Sequence, residues 1–516
     1  MAGLLWICLL ASLYVVLSSY KVLRWLRHQL YVFCKLAEIP GPEGQPLLGI
    51  AHKISPDSVL STYQMEYFFR IFTNAKDAEG ILKFYLGPKP VVVLYRAETI
   101  KPLMENPAII SKTHEYDYIK DWLGEGLLTS TNEKWRHRRK IITPAFHFAS
   151  LITFIKCFNR QGDILMQNLT KHAEDGYPFD AYKYFKALAL DVICEAAMGV
   201  NVSSQTGENA VYVKSVKTLC ELLWLRIRSP WLWPKLLWYA TGYGVEFDRA
   251  RRIVTDFTKK VIAERKAQRA QSPKIENNND NDPNKRTCFL DILLQMQDEF
   301  KLTDEDIREE VDTFMFEGHD TVSNCISFFI MNIADREDIQ ARIRDELDEI
   351  FEEDDRDRRV SHADILRMNY LEKCIKETMR MFPLVPMIGR TASEEIKIKG
   401  YTIPEGVTVM VAPFAAHRDP NYFHNPDYFD PSHFDEENVA SRSPFTYIPF
   451  SAGYRNCIGQ RFAMMQLKVV LSKIFSRFRV IGAKHQIENR GLTELVLKPN
   501  KGCWIRLEER KQISIH

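Results

Sequence analysis

Phe450-Ser451-Ala452-Gly453-Tyr454-Arg455-Asn456-Cys457-Ile458-Gly459 is the stretch on which the reading of this chain turns. Its one cysteine, Cys457, has no CxxC partner and no nearby histidine pair, which argues against a zinc or dithiol redox site. Gly453 and Gly459 allow the backbone to turn tightly and to approach a flat ligand closely. A helix-like run over 460–475 follows at once, so its free amides and positive end are placed to stabilise a thiolate. Read alone, a cysteine is most simply a small buried hydrophobe. The three features together fit a haem-thiolate loop better than a zinc or redox site.

The full FxxGxRxCxG pattern resembles the haem loop of the cytochrome P-450 monooxygenases. That resemblance implies a mainly α fold with a small β region. It also implies Cys457 as the axial ligand to the metal of haem b (iron protoporphyrin IX), Phe450 as a shield over the sulfur, and Arg455 as a propionate partner. Trp135 and Arg139 stand four apart in Trp135-Arg136-His137-Arg138-Arg139-Lys140 and so share one helical face. Taken as composition, this run is a solvated basic face. It also resembles the family's WxxxR helix, whose two side chains hold a propionate. Lys134, Arg136, Arg138 and Lys140 are then expected to face partly outward as a basic patch for an acidic electron-donor protein.

Thr303-Asp304-Glu305-Asp306 has the form of a helix cap, and the pattern behind it predicts a helix to about Asp335, roughly 48 Å long. In its middle lies Glu310-Val311-Asp312-Thr313-Phe314-Met315-Phe316-Glu317-Gly318-His319-Asp320-Thr321. Gly318 weakens a helix and therefore calls for a reason. The reading is an oxygen pocket in which Gly318 makes room while Thr321 and Asp320 relay protons. The string resembles the signature of family 4 of the cytochromes P-450, the fatty-acid ω-hydroxylase-like branch, with Val322 where a second threonine is usual. The resemblance implies an ester between Glu317 and a haem methyl.

Glu377-Thr378-Met379-Arg380 is an ExxR motif, worth little as a lone helical pair. In the family it is a buried salt bridge that locks the fold on the thiolate side. Leu384 to Ile388 is expected to line the pocket, with Arg390 as another propionate partner. Pro431-Ser432-His433-Phe434 occupies the family's PxRF position, with His433 in place of arginine. A histidine there has one hydrogen bond to offer instead of a fork.

Ala2 to Tyr20 carries no formal charge and is just long enough to span a bilayer. Lys21, Arg24 and Arg27 follow, which places the rest of the chain on the cytosolic side. A cleaved secretory signal would carry its positive residues first. The sequons at Asn168 and Asn201 are accordingly expected to be unglycosylated. The reading is a membrane anchor over 1–20, a basic and proline-rich hinge over 21–50 and a catalytic domain over 51–516, on the endoplasmic reticulum membrane. The proline-rich part is Ile39 to Gly49. Ile81 to Tyr95 alternates as a hairpin around Gly87-Pro88, and 397–414 predicts strands around Ile403 to Gly406.

The tryptophans at 224, 231, 233 and 238 read either as core or as a second membrane contact. Residues 268–284 read as a mobile loop, and the charge-dense 335–359 as an exposed helix and turn. A formal charge of +2 argues against a nucleic-acid binder. Ten scattered cysteines fit reduced thiols.

The resulting expectation is a monooxygenase of lipophilic substrates (fatty acids, similar lipophiles or xenobiotics). Too few residues follow Gly459 for a flavin region, which implies NADPH–cytochrome P-450 reductase as the electron donor, with cytochrome b5 as an optional second one. Two rivals stand beside it: an enzyme of the same fold that rearranges peroxides, and a non-enzymatic haem sensor or carrier.

Overall fold

Thr303 opens the helix around which the body is built. Its Oγ1 accepts from the Asp306 N–H at 3.0 Å, while its own N–H donates to Asp306 Oδ2 at 2.8 Å. This reciprocal cap satisfies two end donors. The helix runs over Asp304–Ile333, 30 residues, or about 45 Å at the standard rise. It stops two residues short of the expected end. Val311, Met315, Ile326, Phe328, Phe329 and Ile330 are all fully buried, as befits a helix that crosses the core of a large protein. The helices Tyr182–Ile193, Tyr243–Gln271, Asn369–Met381 and Gln460–Arg477 pack against it.

The computed structural model describes residues 2–73, 79–146, 148–271, 288–297, 299–351, 358–483 and 491–510, and the side chains of these apart from 2–19 and 148–150. The architecture is mainly helical with small sheets, as the resemblance implied. The largest sheet has four strands in the order Ile81–Leu86, Lys89–Leu94, Thr408–Val411, Ile388–Thr391. The first two form the expected antiparallel hairpin, and Thr408–Val411 joins it in parallel. Because both faces are covered, Val91 to Leu94 are fully buried and not partly so. This sheet has its own apolar core, separate from that of the helices.

The first helix spans Ala2–Ala37 and so carries straight through the basic stretch assigned to the hinge. Lys, Arg and Leu are good helix formers, and no proline intervenes before Pro40. Its far end is docked, with Val32 and Leu36 buried beside Ile39 and Ile81. Ile39 to Gly49 is held against the hairpin by Lys83 N–H to Pro40 O and Ile50 N–H to Tyr85 O, both 2.8 Å. A Cβ on Gly49, at φ +57°, would lie 1.9 Å from Tyr85 O, so this stretch is clamped to the sheet edge. Among the described residues no single helix is long and apolar enough to cross a membrane. The side chains of the expected span 2–19 lie outside them.

Residues 268–271 end the Tyr243–Gln271 helix, and the rest of the loop expected over 268–284 lies outside the described residues. The charge-dense segment contains the helix Glu337–Phe351, which is amphipathic, with Ile343, Leu347 and Phe351 buried. Of the tryptophans, Trp238 is core at 1% exposure, and Trp231 is 46% exposed.

Candidate active site

The loop at Cys457 is shaped by two residues in the left-handed region, Ser451 at φ +60° and Gly453 at φ +66°. A Cβ on Gly453 would lie 1.9 Å from the Met104 carbonyl oxygen, so only glycine fits. The Cys457 N–H donates to Phe450 O at 2.9 Å and closes the loop. The helix Gln460–Arg477 starts directly after Gly459. Gly459 itself has an ordinary φ of −85°, which corrects the expectation that both glycines serve the turn. A Cβ there would instead lie 3.9 Å from Cys457 Sγ, so this glycine keeps the space beside the sulfur open.

The thiol looks into a cavity of about 840 Å³. Among the charged side chains that line it, Lys112, Arg139, Arg390 and Arg455 are grouped with Glu317 by their mutual influence. Trp135 and Arg139 sit on the Asn132–Ile142 helix, and both line the cavity, as their spacing predicted. Arg139 grips the cysteine loop with a fork, donating to Asn456 O at 2.9 Å and to Asn456 Oδ1 at 2.8 Å. The Arg455 guanidinium lies 4.8 Å from the Trp135 ring centroid and donates to the carbonyls of Ser130 at 2.6 Å and Leu128 at 2.9 Å. Arg390 is buried in its strand and donates to Gly389 O at 2.8 Å.

These charges act on one another within the body of the protein, although Cys457 presents exposed surface to the cavity. Burial, joined by Glu317, pushes the Cys457 thiol up to about 12, against the pull of the Gly459 N–H and Arg139. Burial likewise raises Glu317 to about 7, opposed by Lys112, Arg455 and Arg139. Lys112 falls well below its ordinary value through burial and the repulsion of Arg455 and Arg390. Lys112 carries no motif, and its role was not legible in the sequence.

On the central helix Glu317, Gly318 and Thr321 face the cavity, and Asp320 does not line it. Asp320 turns to the Tyr182–Ile193 helix, where it forms an ion pair with Lys186. Burial alone would raise its pKa, but Lys186 holds it below the ordinary carboxylate range. The Thr321 hydroxyl donates to Glu317 O at 2.6 Å. The room left by Gly318 is partly taken by Ile193, whose Cδ1 would lie 2.6 Å from an added Cβ.

Arg138 is a clear correction. It is buried at 4% exposure and paired with Asp306 and with Glu310 at 3.6 Å. It therefore belongs to the interior and not to the basic patch. Lys134 and Arg136 are half-exposed or exposed but already engaged, by Glu125 and Glu133 respectively.

Glu377 and Arg380 are both fully buried, with Nε to Oε2 and Nη2 to Oε1 each at 2.7 Å. The remaining donors of Arg380 reach the carbonyls of Pro426 at 2.7 Å, Tyr428 at 3.0 Å and His417 at 3.1 Å. His433 takes the third place, with Nδ1 at 3.2 and 3.3 Å from the two Glu377 oxygens and Nε2 donating to His424 O at 2.7 Å. It thus makes contact through both nitrogens, where one hydrogen bond was expected. Tyr447 OH donates to Lys376 O at 2.9 Å, and Ile448 N–H to His417 Nε2 at 2.8 Å. These two bonds tie the network to the residues that enter the cysteine loop.

The Cys457 thiol, the cations Lys112, Arg139, Arg390 and Arg455 grouped with Glu317, and a surround of apolar walls form a donor set that fits a flat, dianionic iron porphyrin. A family model described as Cytochrome P450 matches residues 39–505. The chain belongs to the cytochrome P450 family. It is 40% identical to human Cytochrome P450 4V2 over 473 residues, 90% of this chain and 88% of that protein. It is 37% identical to Cytochrome P450 4c3 of Drosophila melanogaster over 491 residues, covering 92% and 90%. Cytochrome P450 4c21 of Blattella germanica is also 37% identical, over 478 residues, covering 92% and 94%. The family 4 resemblance read from the sequence is therefore shown, and the protein is a cytochrome P450 monooxygenase, an oxidoreductase of the haem-thiolate type.

Proposed function

We propose that this cytochrome P450 hydroxylates fatty acids or similar lipophiles, foreign ones included, near a chain end. Electrons come from NADPH through NADPH–cytochrome P-450 reductase, with cytochrome b5 as an optional second donor. The observation that carries this reading is the Cys457 thiol facing a largely apolar cavity of about 840 Å³. Cys457 holds the metal of haem b. Arg139, Arg390, Arg455 and the Trp135 indole hold the propionates, with Lys112 as a further cation beside them. Phe450 covers the sulfur. When bound, haem with its thiolate ligand activates dioxygen for insertion into a C–H bond.

The protein's part is to position, to exclude water and to move protons. Thr321 gives its hydrogen to Glu317 O, so its oxygen lone pairs are left for the cavity. Asp320 stands next to it in sequence, held ionised by Lys186; as a carboxylate it holds no proton of its own, and its part in the relay is to accept one and hand it on. Glu317 faces the cavity and would carry an ester to a haem methyl, whose two-electron oxidation would draw on the dioxygen and electrons supplied for turnover. Acidic organic extraction is expected to leave part of the haem on wild-type protein and none on Glu317→Ala. Complete loss from both counts against the ester.

The anchor over 1–20 holds the chain in the endoplasmic reticulum membrane by a single pass, with the catalytic domain on the cytosolic side. Leu47 at 82% exposure and Leu236 at 81% offer apolar surface for the same bilayer. Glycosidase-sensitive sugar at Asn168 or Asn201 would overturn this orientation.

The test of the function is turnover of a medium-chain fatty acid by the haem-loaded protein with reductase and NADPH. Products oxidised at or beside the terminal methyl are expected. Exclusive mid-chain oxidation sinks the chain-end assignment. Peroxide rearrangement without NADPH would favour the isomerase-type rival, and no oxidation despite full coupling would favour the sensor.

A further inference from the structure

Trp224 and Arg228 are one turn apart on the helix Ala210–Arg228, so they share a face, and both line the cavity. Arg228 is 5% exposed. One of its nitrogens, Nη2, is used, donating to Pro56 O at 2.6 Å and Ser58 Oγ at 3.0 Å. Its Nε and Nη1, and the indole Nε1 of Trp224, are buried without a hydrogen-bond partner among the described residues. Buried donors are nearly always paired, so three on one helix face call for an acceptor. No carboxylate of the described residues forms an ion pair with this guanidinium. Glu494 and Asp57 are the acids that act on it from a distance, and Glu494 is itself taken by Lys498 at 2.6 Å.

Beside Lys53 and Glu115, the charges that line the cavity include two sets that answer to different partners. Lys112, Arg139, Arg390, Arg455 and Glu317 influence one another and Cys457. Arg228 answers to Glu494 and Asp57 instead. It therefore stands apart from the groups that hold the haem, with apolar walls such as Phe68, Met65 and Leu495 in the same cavity. A molecule that satisfies this arrangement has a hydrocarbon body and an anionic head with two acceptor oxygens.

We infer that Arg228, with the Trp224 N–H beside it, is the anchor for the carboxylate of a long-chain substrate. The inference rests on the fatty-acid reading above and gives it a direction: the head is fixed at Arg228 and the tail runs toward Cys457. An arginine fork matches a carboxylate where a lysine offers only a point charge.

The experiment compares the dissociation constants of dodecanoic acid and methyl dodecanoate at neutral pH. Binding is read from the change in Soret absorption of the haem-loaded protein. Wild type is expected to favour the acid by about tenfold to a hundredfold, the range of one charged hydrogen-bond set. Arg228→Gln brings the ratio to about one, Arg228→Lys leaves an intermediate value, and Glu494→Gln, which removes an acid that burial raises to about 7 and that is therefore part-charged at neutral pH, raises it. A wild-type ratio near one overturns the anchor and leaves the fatty-chain reading standing, whereas binding of neither ligand overturns both. Should Arg228→Gln fail to fold for want of its bond to Pro56, the wild-type and Glu494→Gln ratios decide the question. A Glu494→Gln ratio unchanged or lowered counts against the anchor.

Discussion

Arg380→Ala is expected to yield protein that loses haem and is less stable than wild type by about 3–5 kcal/mol, the usual effect of removing one partner of a buried ion pair. The size follows from what is left behind. Glu377 would remain fully buried with the His433 ring and the Asp430 N–H as its company. The carbonyls of His417, Pro426 and Tyr428 would each lose a donor. Arg380→Lys should recover little, because an ammonium cannot reproduce a fork that serves two carboxylate oxygens and three carbonyls. His433→Ala should be milder, at about 1–3 kcal/mol, since it removes a third contact and leaves the pair intact. Denaturant midpoints and the haem-to-protein ratio check all three. Wild-type stability in Arg380→Ala would contradict the account.

Gly453→Ala is the second large effect. An alanine at φ +66° carries the strain of the left-handed region, about 1–2 kcal/mol. Its methyl would also be driven into the Met104 carbonyl oxygen at 1.9 Å, and forcing a methyl into filled space adds about 1–3 kcal/mol. The backbone has to yield, and Arg455 and Cys457 follow within four residues, so haem retention should fall with stability. Gly459→Ala is the contrast. Its φ of −85° suits any residue and its Cβ meets only the sulfur, at 3.9 Å. That variant should fold as wild type and differ in its Soret spectrum. Equal stability of Gly453→Ala and wild type would show that the loop is not pinned to Met104.

What could be read from the sequence was whatever lies close together along it. The ten residues around Cys457 carry their chemistry in their spacing, the Thr303 cap is complete within four residues, and Glu377 with Arg380 needs one helical turn. What stayed hidden depends on partners far away in the chain. Asp320 reads as a pocket acid beside Thr321, yet Lys186, 134 residues earlier, turns it away. Gly318 reads as space for a small ligand, although the neighbour it admits is Ile193. Arg138 looks like any residue of a basic run until Asp306 and Glu310 arrive from the central helix. Lys112 and Arg228 belong to no motif, and only the cavity shows what they face. The first helix runs on past the change from apolar to basic residues, because that change alters the side chains and leaves the backbone unbroken to Ala37.

The central claim is that Cys457 ligates haem through a thiolate. The carbon monoxide difference spectrum of the reduced, haem-loaded protein tests it most directly. The account predicts a strongly red-shifted Soret band that disappears in Cys457→Ala. A histidine-type band from well-folded wild-type protein, or a red-shifted band that survives Cys457→Ala, would contradict it.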